Sequence, residues 1–387
     1  MKKIALHISL FAALITSLTS CKNELDVLAP GEESVSVYGA LNPNEPVQNI
    51  RINKVYITDG DALAAGQDAN QINYGAGELK VTLQRFMAGS STPTLTTVGD
   101  ATKKEIVLTE TVVTTASGNF SNQQRIWQTT DKLYKTGEYK LTITNVSSGK
   151  QFSSQTTVID SVKTTNSIPT MPFYWSPTNP SAYPMHGSYV PPTSISPPPT
   201  QDNAYVKYET FTQTYKIKFK SVANAKLYRV SMRLHFLDYT TSTTSTANYV
   251  DMDFSTVKSP DLLANNDLEV AFTGNEFYDM VGRAMEKKNS SGVIKRKIEY
   301  IEYTIRATTE NMFDFLQVNA PSNSIAQDKP SYTNINGGVG IFASISKSWV
   351  TKDFSDITIN KFACHPSTYP YKFMDSNGNV ALTTCSQ

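Results

Sequence analysis

Leu79-Lys80-Val81-Thr82-Leu83-Gln84 decides the fold class of this 387-residue chain. Leucine, valine and leucine alternate with lysine, threonine and glutamine. Successive strand side chains point to opposite faces, so this period buries one face and wets the other. Similar runs lie on either side. Val35, Val37 and Gly39 alternate with Ser36, Tyr38 and Ala40, and Ile50 and Ile52 lead to Val55-Tyr56-Ile57. Ile106-Val107-Leu108, Val112-Val113, residues 120–127, Gly137-Glu138-Tyr139-Lys140-Leu141-Thr142-Ile143-Thr144 and residues 152–159 follow. About seven short strands between turn signals predict a first β-sandwich over 34–160, of immunoglobulin or transthyretin type.

A second block follows over 204–362. Tyr215, Ile217 and Phe219 alternate with Lys216, Lys218 and Lys220, and Ala223-Asn224 marks a turn. The run Ala225-Lys226-Leu227-Tyr228-Arg229-Val230 resembles the core strand of fibronectin type III-like domains. Residues 249–254, 268–272 and 294–308 read as further strands. In the last of these, Ile298, Tyr300, Glu302 and Thr304 are expected on one face, with Ile301, Tyr303 and Ile305 on the other. One helix is predicted near 274–288. Thr273 and Glu276 have capping-box spacing, Phe277, Met280, Val281 and Ala284 recur at helical intervals, and Lys287-Lys288 suit the C-terminal dipole end. Residues 311–316 suggest a further helical turn. The expected fold is mainly β: two sandwich-like domains with one short helix packed on the second.

Between the blocks, 161–203 is proline-rich. Proline fixes φ and donates nothing to a ladder, so Pro191-Pro192 and Pro197-Pro198-Pro199 exclude a sheet interior. Phe173, Tyr174 and Trp175 interleave with the prolines, as do Tyr183 and Tyr189. These aromatics either pack on a neighbouring domain or form an exposed ligand-contact loop.

The N-terminus carries an address. Lys2 and Lys3 precede an apolar stretch over 4–18, and Leu18-Thr19-Ser20-Cys21 closes it. This resembles a lipobox, with 1–20 as signal peptide, Cys21 as the lipidated residue and 21–33 as a tether. Several acyl chains at Cys21 would make an effectively permanent membrane anchor. Lys22, Asn23, Glu24 and Asp26 resemble the lysine-then-acidic export signals of Bacteroidota surface lipoproteins. That resemblance implies an outer-membrane location facing the cell exterior.

The late run Asn334-Ile335-Asn336-Gly337-Gly338-Val339-Gly340-Ile341-Phe342 completes a set with the lipobox and the early Val37-Tyr38-Gly39-Ala40-Leu41-Asn42-Pro43 followed by Ile50-Arg51-Ile52-Asn53-Lys54. Together they resemble a family of Bacteroidota outer-membrane lipoproteins defined by a domain of unknown function. The resemblance implies partnership with a TonB-dependent transporter. It carries no reaction. The glycines read as backbone devices for positive φ or close approach.

Chemistry-bearing patterns are sparse. Formal net charge is +1, without a polybasic run, so no nucleic-acid partner is expected. Beyond the signal, the histidines are His186, His235 and His365. No G-x-S-x-G, H-E-x-x-H or C-x-x-C occurs, so neither enzyme, metal nor cofactor is expected. Asp59-Gly60-Asp61 with Asp68 and Asn70 reads as a loop and turn rather than a calcium site. Asp251 and Asp253 share a strand face, as do Arg229 and Arg233, and both pairs read as solvated. Trp127 and Trp349 read as core or rim rather than sugar platforms. Cys364 and Cys385, in the tail 363–387, either form a bridge that pins the tail or remain two thiols. The functional expectation is a lipid-anchored, non-catalytic binding protein. The alternatives are a structural or adhesive envelope protein and, behind it, an envelope hydrolase for which a cleft would have to join Asp251 or Asp253 to a histidine.

Overall fold

The computed structural model describes residues 33–55, 62–114, 121–162, 214–288, 291–319, 332–354 and 356–380. The protein is mainly β, with several antiparallel sheets. The strands are β1 (Val35–Leu41), β2 (Gln48–Lys54), β3 (Leu79–Phe86), β4 (Glu105–Val107), β5 (Thr109–Thr114), β6 (Gln123–Thr129), β7 (Glu138–Asn145) and β8 (Gln151–Thr157) in the first half. The second half holds β9 (Thr214–Lys220), β10 (Ala225–Tyr239), β11 (Ser245–Lys258), β12 (Asp267–Thr273), β13 (Lys295–Thr309) and β14 (Gly338–Asp353). Helices are α1 (Ala62–Gln67), α2 (Ala69–Ile72), α3 (Gly274–Glu286), α4 (Glu310–Val318) and α5 (Asp356–Cys364). Cys21, the linker aromatics Phe173, Tyr174 and Trp175, and Cys385 lie outside the described residues, so the lipid, linker and bridge expectations do too.

One eight-stranded sheet, in the order β11-β10-β13-β14-β1-β2-β6-β5, runs through both halves. A four-stranded sheet, β4-β3-β7-β8, shares a core with its β1-β2-β6 part. Val35, Val37, Ile50, Ile52 and Trp127 meet Leu79, Val81, Leu83, Tyr139, Leu141, Ile143 and Phe152 there. The opening hexapeptide does what its period dictates: Leu79, Val81 and Leu83 are all buried.

In the second half, one face of the long strands β10, β11 and β13 is covered by the β9–β12 ribbon, α3 and α5. Tyr228, Val230, Met232, Leu234 and Phe236 of β10 pack with Ile217, Phe219, Val270, Phe277, Val281 and Phe362 in a second core. The predicted capping box forms in both directions at the start of α3. Phe277 and Val281 are buried, as the helical spacing requires. At the far end, Arg296 is 1% exposed and ion-paired to Asp238 at 2.6 Å, while its Nη1 donates to the Tyr371 carbonyl at 2.7 Å. This buried pair draws the C-terminal segment against β13.

Strand β14 joins the two cores. Gly338 to Ser344 pair parallel with Val35 to Leu41 of β1, and residues 345–353 pair antiparallel with β13. Reading 204–362 as one block does not anticipate this. The glycine motif makes the junction possible. A Cβ at Gly340 would sit 2.0 Å from the Val37 carbonyl oxygen, and its φ is +105°. Asn334 braces the turn back: its Nδ2 donates to the Phe342 carbonyl at 2.7 Å, and its Oδ1 accepts from the Phe342 N–H at 2.9 Å. Ser344, fully buried, donates to the Leu41 carbonyl at 3.0 Å and accepts from the Ile159 N–H at 3.2 Å.

One expected strand face is corrected. The β10–β13 register steps from His235↔Tyr300 to Phe236↔Ile298, leaving Glu299 over. This bulge turns Ile298 into the core beside Ile301 and Ile305, while Tyr300, Glu302 and Thr304 stay on the opposite face.

Candidate functional site

Among the described residues, the face of the β11-β10-β13-β14 part of the sheet opposite the second core gathers the polar residues singled out in the sequence. Cross-strand register arranges them in rows. The first contains Tyr249, His235, Tyr300 and Asp353, and the second Asp251, Arg233, Glu302 and Thr351. The third holds Asp253, Ser231, Thr304 and Trp349, and the fourth Thr256, Arg229, Arg306 and Lys347. Much of this surface forms an open trough of about 410 Å³, lined by Arg229, Arg233, Asp251, Asp253, Glu302, Arg306 and Lys347 among others.

Asp251 and Asp253 do share a face, but each meets an arginine. Arg233 holds Asp251 through two hydrogen bonds, at 2.6 and 2.9 Å, and Arg229 pairs with Asp253. The hydrogen bond to Asp251 raises the Arg233 pKa further. The Arg233 guanidinium also lies over the Tyr249 ring, 3.9 Å from its centroid. Such exposed pairs contribute at most about 1 kcal/mol each, so they order the surface more than they stabilise the fold. In the fourth row, Arg306 donates to the neutral Ser231 hydroxyl at 3.1 Å.

His235 stacks on Tyr300 with centroids 4.3 Å apart and leans on Tyr249 at 6.1 Å. Burial lowers its pKa, and the Glu302 carboxylate opposes that shift. Its Nε2 is buried with no hydrogen-bond partner among the described residues. Asp251 and Asp253 turn to arginines, and no hydrogen bond joins either to this imidazole among the described residues.

Beyond the fourth row β13 runs into α4, which the sequence suggested only as a helical turn over 311–316. Lys258 lies over the Phe313 ring at 4.6 Å, and Phe315 meets Tyr38 edge-on at 6.3 Å. Trp349 is 60% exposed. The sequence reading of core or rim holds for Trp127, which is buried, whereas Trp349 stands on the open face.

The remaining candidates have structural roles. Asp68 caps α2 by accepting from the Asn70 N–H at 2.9 Å. Asp59 and Asp61 lie outside the described residues, as does His186. His365 is buried, stacked on Tyr278 at 4.8 Å, with Nδ1 accepting from the Ser367 N–H at 3.2 Å. Among the described residues, no cluster of three or more His, Cys, Asp or Glu is placed to hold a metal ion. A second hollow of about 300 Å³ lies between β2, α2 and β6, but its charges serve local structure. Glu78 accepts from the Gly75 N–H at 2.6 Å, and Arg125 pairs with Glu110.

What sequence reasoning missed is the register. Alternation puts Arg229, Arg306 and Lys347 on outward faces but not beside one another. No protein-family model matches the chain, and no curated protein matches it.

Proposed function

We propose that the chain is a lipid-anchored outer-membrane protein facing the cell exterior, with a non-catalytic binding role beside a TonB-dependent transporter. In this reading the two cores belong to two sandwich-like units, of the immunoglobulin or transthyretin kind, that share β14. The observation that supports a binding role is the open face of β10, β11, β13 and β14. Its strands run 14–16 residues, their reverse side is core, and their front carries paired charges and aromatic rings. A surface held this rigidly loses little entropy when a partner docks. The lipobox resemblance supports the anchor: Cys21 and its acyl chains would hold the face near the membrane.

Co-purification from mildly solubilised membranes tests the reading, alongside Cys21→Ala. A stoichiometric TonB-dependent transporter is expected with the parent protein, and Cys21→Ala is expected in the soluble fraction. Recovery of the parent alone overturns the transporter partnership in favour of a self-sufficient adhesive module. A Cys21→Ala protein that still sediments with membranes overturns the anchor.

A further inference from the structure

The fourth row of the trough carries an unusual charge pattern. Arg306 lies directly opposite Arg229 on one side and Lys347 on the other. Like charges so placed are destabilising, with Cβ atoms only about 5 Å apart. Arg229 is neutralised by Asp253, but Arg306 meets only a neutral hydroxyl, and no ion pair to Lys347 is seen among the described residues. Lys258 adds a further cation at the α4 end. The acidic groups lie toward the other end, where Asp251 and Glu302 flank Arg233. The trough therefore has a positive end whose charges the described part of the chain does not balance.

Trp349 stands beside that end. It lies two residues along β14 from Lys347, on the same face and roughly 7 Å away. An exposed indole offers a flat, electron-rich, apolar surface. The partly exposed Ser231 lies between it and the Arg233 and Asp251 pair, while Thr304, directly opposite the indole, is buried and donates its hydroxyl to Glu302 at 3.0 Å.

We infer that the positive end of the trough is a subsite for an anionic oligosaccharide, a sugar chain bearing carboxylate or sulfate groups. Arg306 and Lys347 take the anion, Trp349 stacks on the C–H face of a neighbouring ring, and Ser231 meets its hydroxyls. The inference rests on the open face being the binding surface. An extended acidic peptide fits less well. A sheet face presents no free backbone groups for such a peptide to pair with. A nucleic-acid backbone would have to cross the Asp251 and Glu302 end.

The test is isothermal titration of the full chain in mild detergent with hexagalacturonate, which carries carboxylates, and with a heparin hexasaccharide, which carries sulfates. At least one is expected to bind, more weakly as salt rises, and the better of the two names the anion. Methyl-esterified hexagalacturonate should bind about tenfold more weakly than the acid if carboxylate is preferred. Arg306→Gln with Lys347→Gln should weaken the preferred ligand by about tenfold or more, and Trp349→Ala should weaken it as well, with unchanged circular dichroism. These positions are exposed, so the variants should fold. The subsite is overturned if neither saccharide binds, if the double variant binds like the parent, or if poly-glutamate of equal charge binds as tightly. A transporter that co-purifies while both saccharides fail would sink this subsite and leave the binding-protein reading in place.

Discussion

The two halves of the molecule use the same alternation and obtain different surfaces. In the first half two sheets of short strands face each other. On the outer side of the four-stranded sheet, Lys80 opposes Thr144 and Gln84 opposes Lys140, so charge meets neutral. In the second half, among the described residues, a sheet of long strands carries a core on one face and mostly polar side chains on the other. On its other face Arg233 sits between Asp251 and Glu302, and Arg306 between two cations. Both outer faces are polar, so polarity alone does not mark a site. What distinguishes the second is charge set against charge across neighbouring strands.

The junction between the halves is where that comparison can be broken. Gly340→Val places a side chain against the Val37 carbonyl and imposes strain at positive φ. It should cost at least about 4 kcal/mol or abolish folding, and it should unsettle both cores because β14 serves each. Urea denaturation followed by tryptophan fluorescence and by far-UV dichroism measures it, and a loss below about 1 kcal/mol would mean that the halves do not depend on their shared strand.

A second substitution acts on the far half alone. Asp238→Ala leaves the Arg296 guanidinium buried without its carboxylate. About 3 kcal/mol of stability should be lost, because a buried cation loses the carboxylate that offsets its desolvation. Asp238→Ala with Arg296→Met should recover much of it. A double variant no better than the single would assign the cost to packing instead.

The smallest effect sharpens the comparison at the open face. Burial holds the His235 pKa below its ordinary value, so the unfolded chain takes up this proton first as pH falls. The associated stability is complete above about pH 6.5 and is lost below it. His235→Phe keeps a flat ring beside Tyr300 and should flatten that slope. Urea midpoints at about pH 7 and about pH 5.5 decide, and equal slopes in parent and variant would rule His235 out as the cause.

Local order was legible in the sequence because local physics creates it. Period-two runs at Leu79, Val81 and Leu83, the Thr273–Glu276 box, and the shared faces of Arg229 with Arg233 and Asp251 with Asp253 all depend on residues within a few positions. The bulge at Glu299 depends on a partner strand some sixty positions away, so Ile298 was expected on the wrong face. The row of Arg229, Arg306 and Lys347 depends on three strands and was invisible for the same reason. The glycines of the late motif were read as devices of close approach, but nothing near them names Val35 and Val37 as the backbone approached.

The parallel seam has a consequence in time. Ser34 and Gly337, hydrogen-bonded at one end of it, are 303 residues apart, and Leu41 and Ser344 at the other end are equally distant. At ribosomal rates, roughly 15–60 s separate the emergence of β1 from that of its neighbour. Throughout that interval one edge of β1 is an open template for foreign strands. So high a contact order favours slow, late completion of the first core.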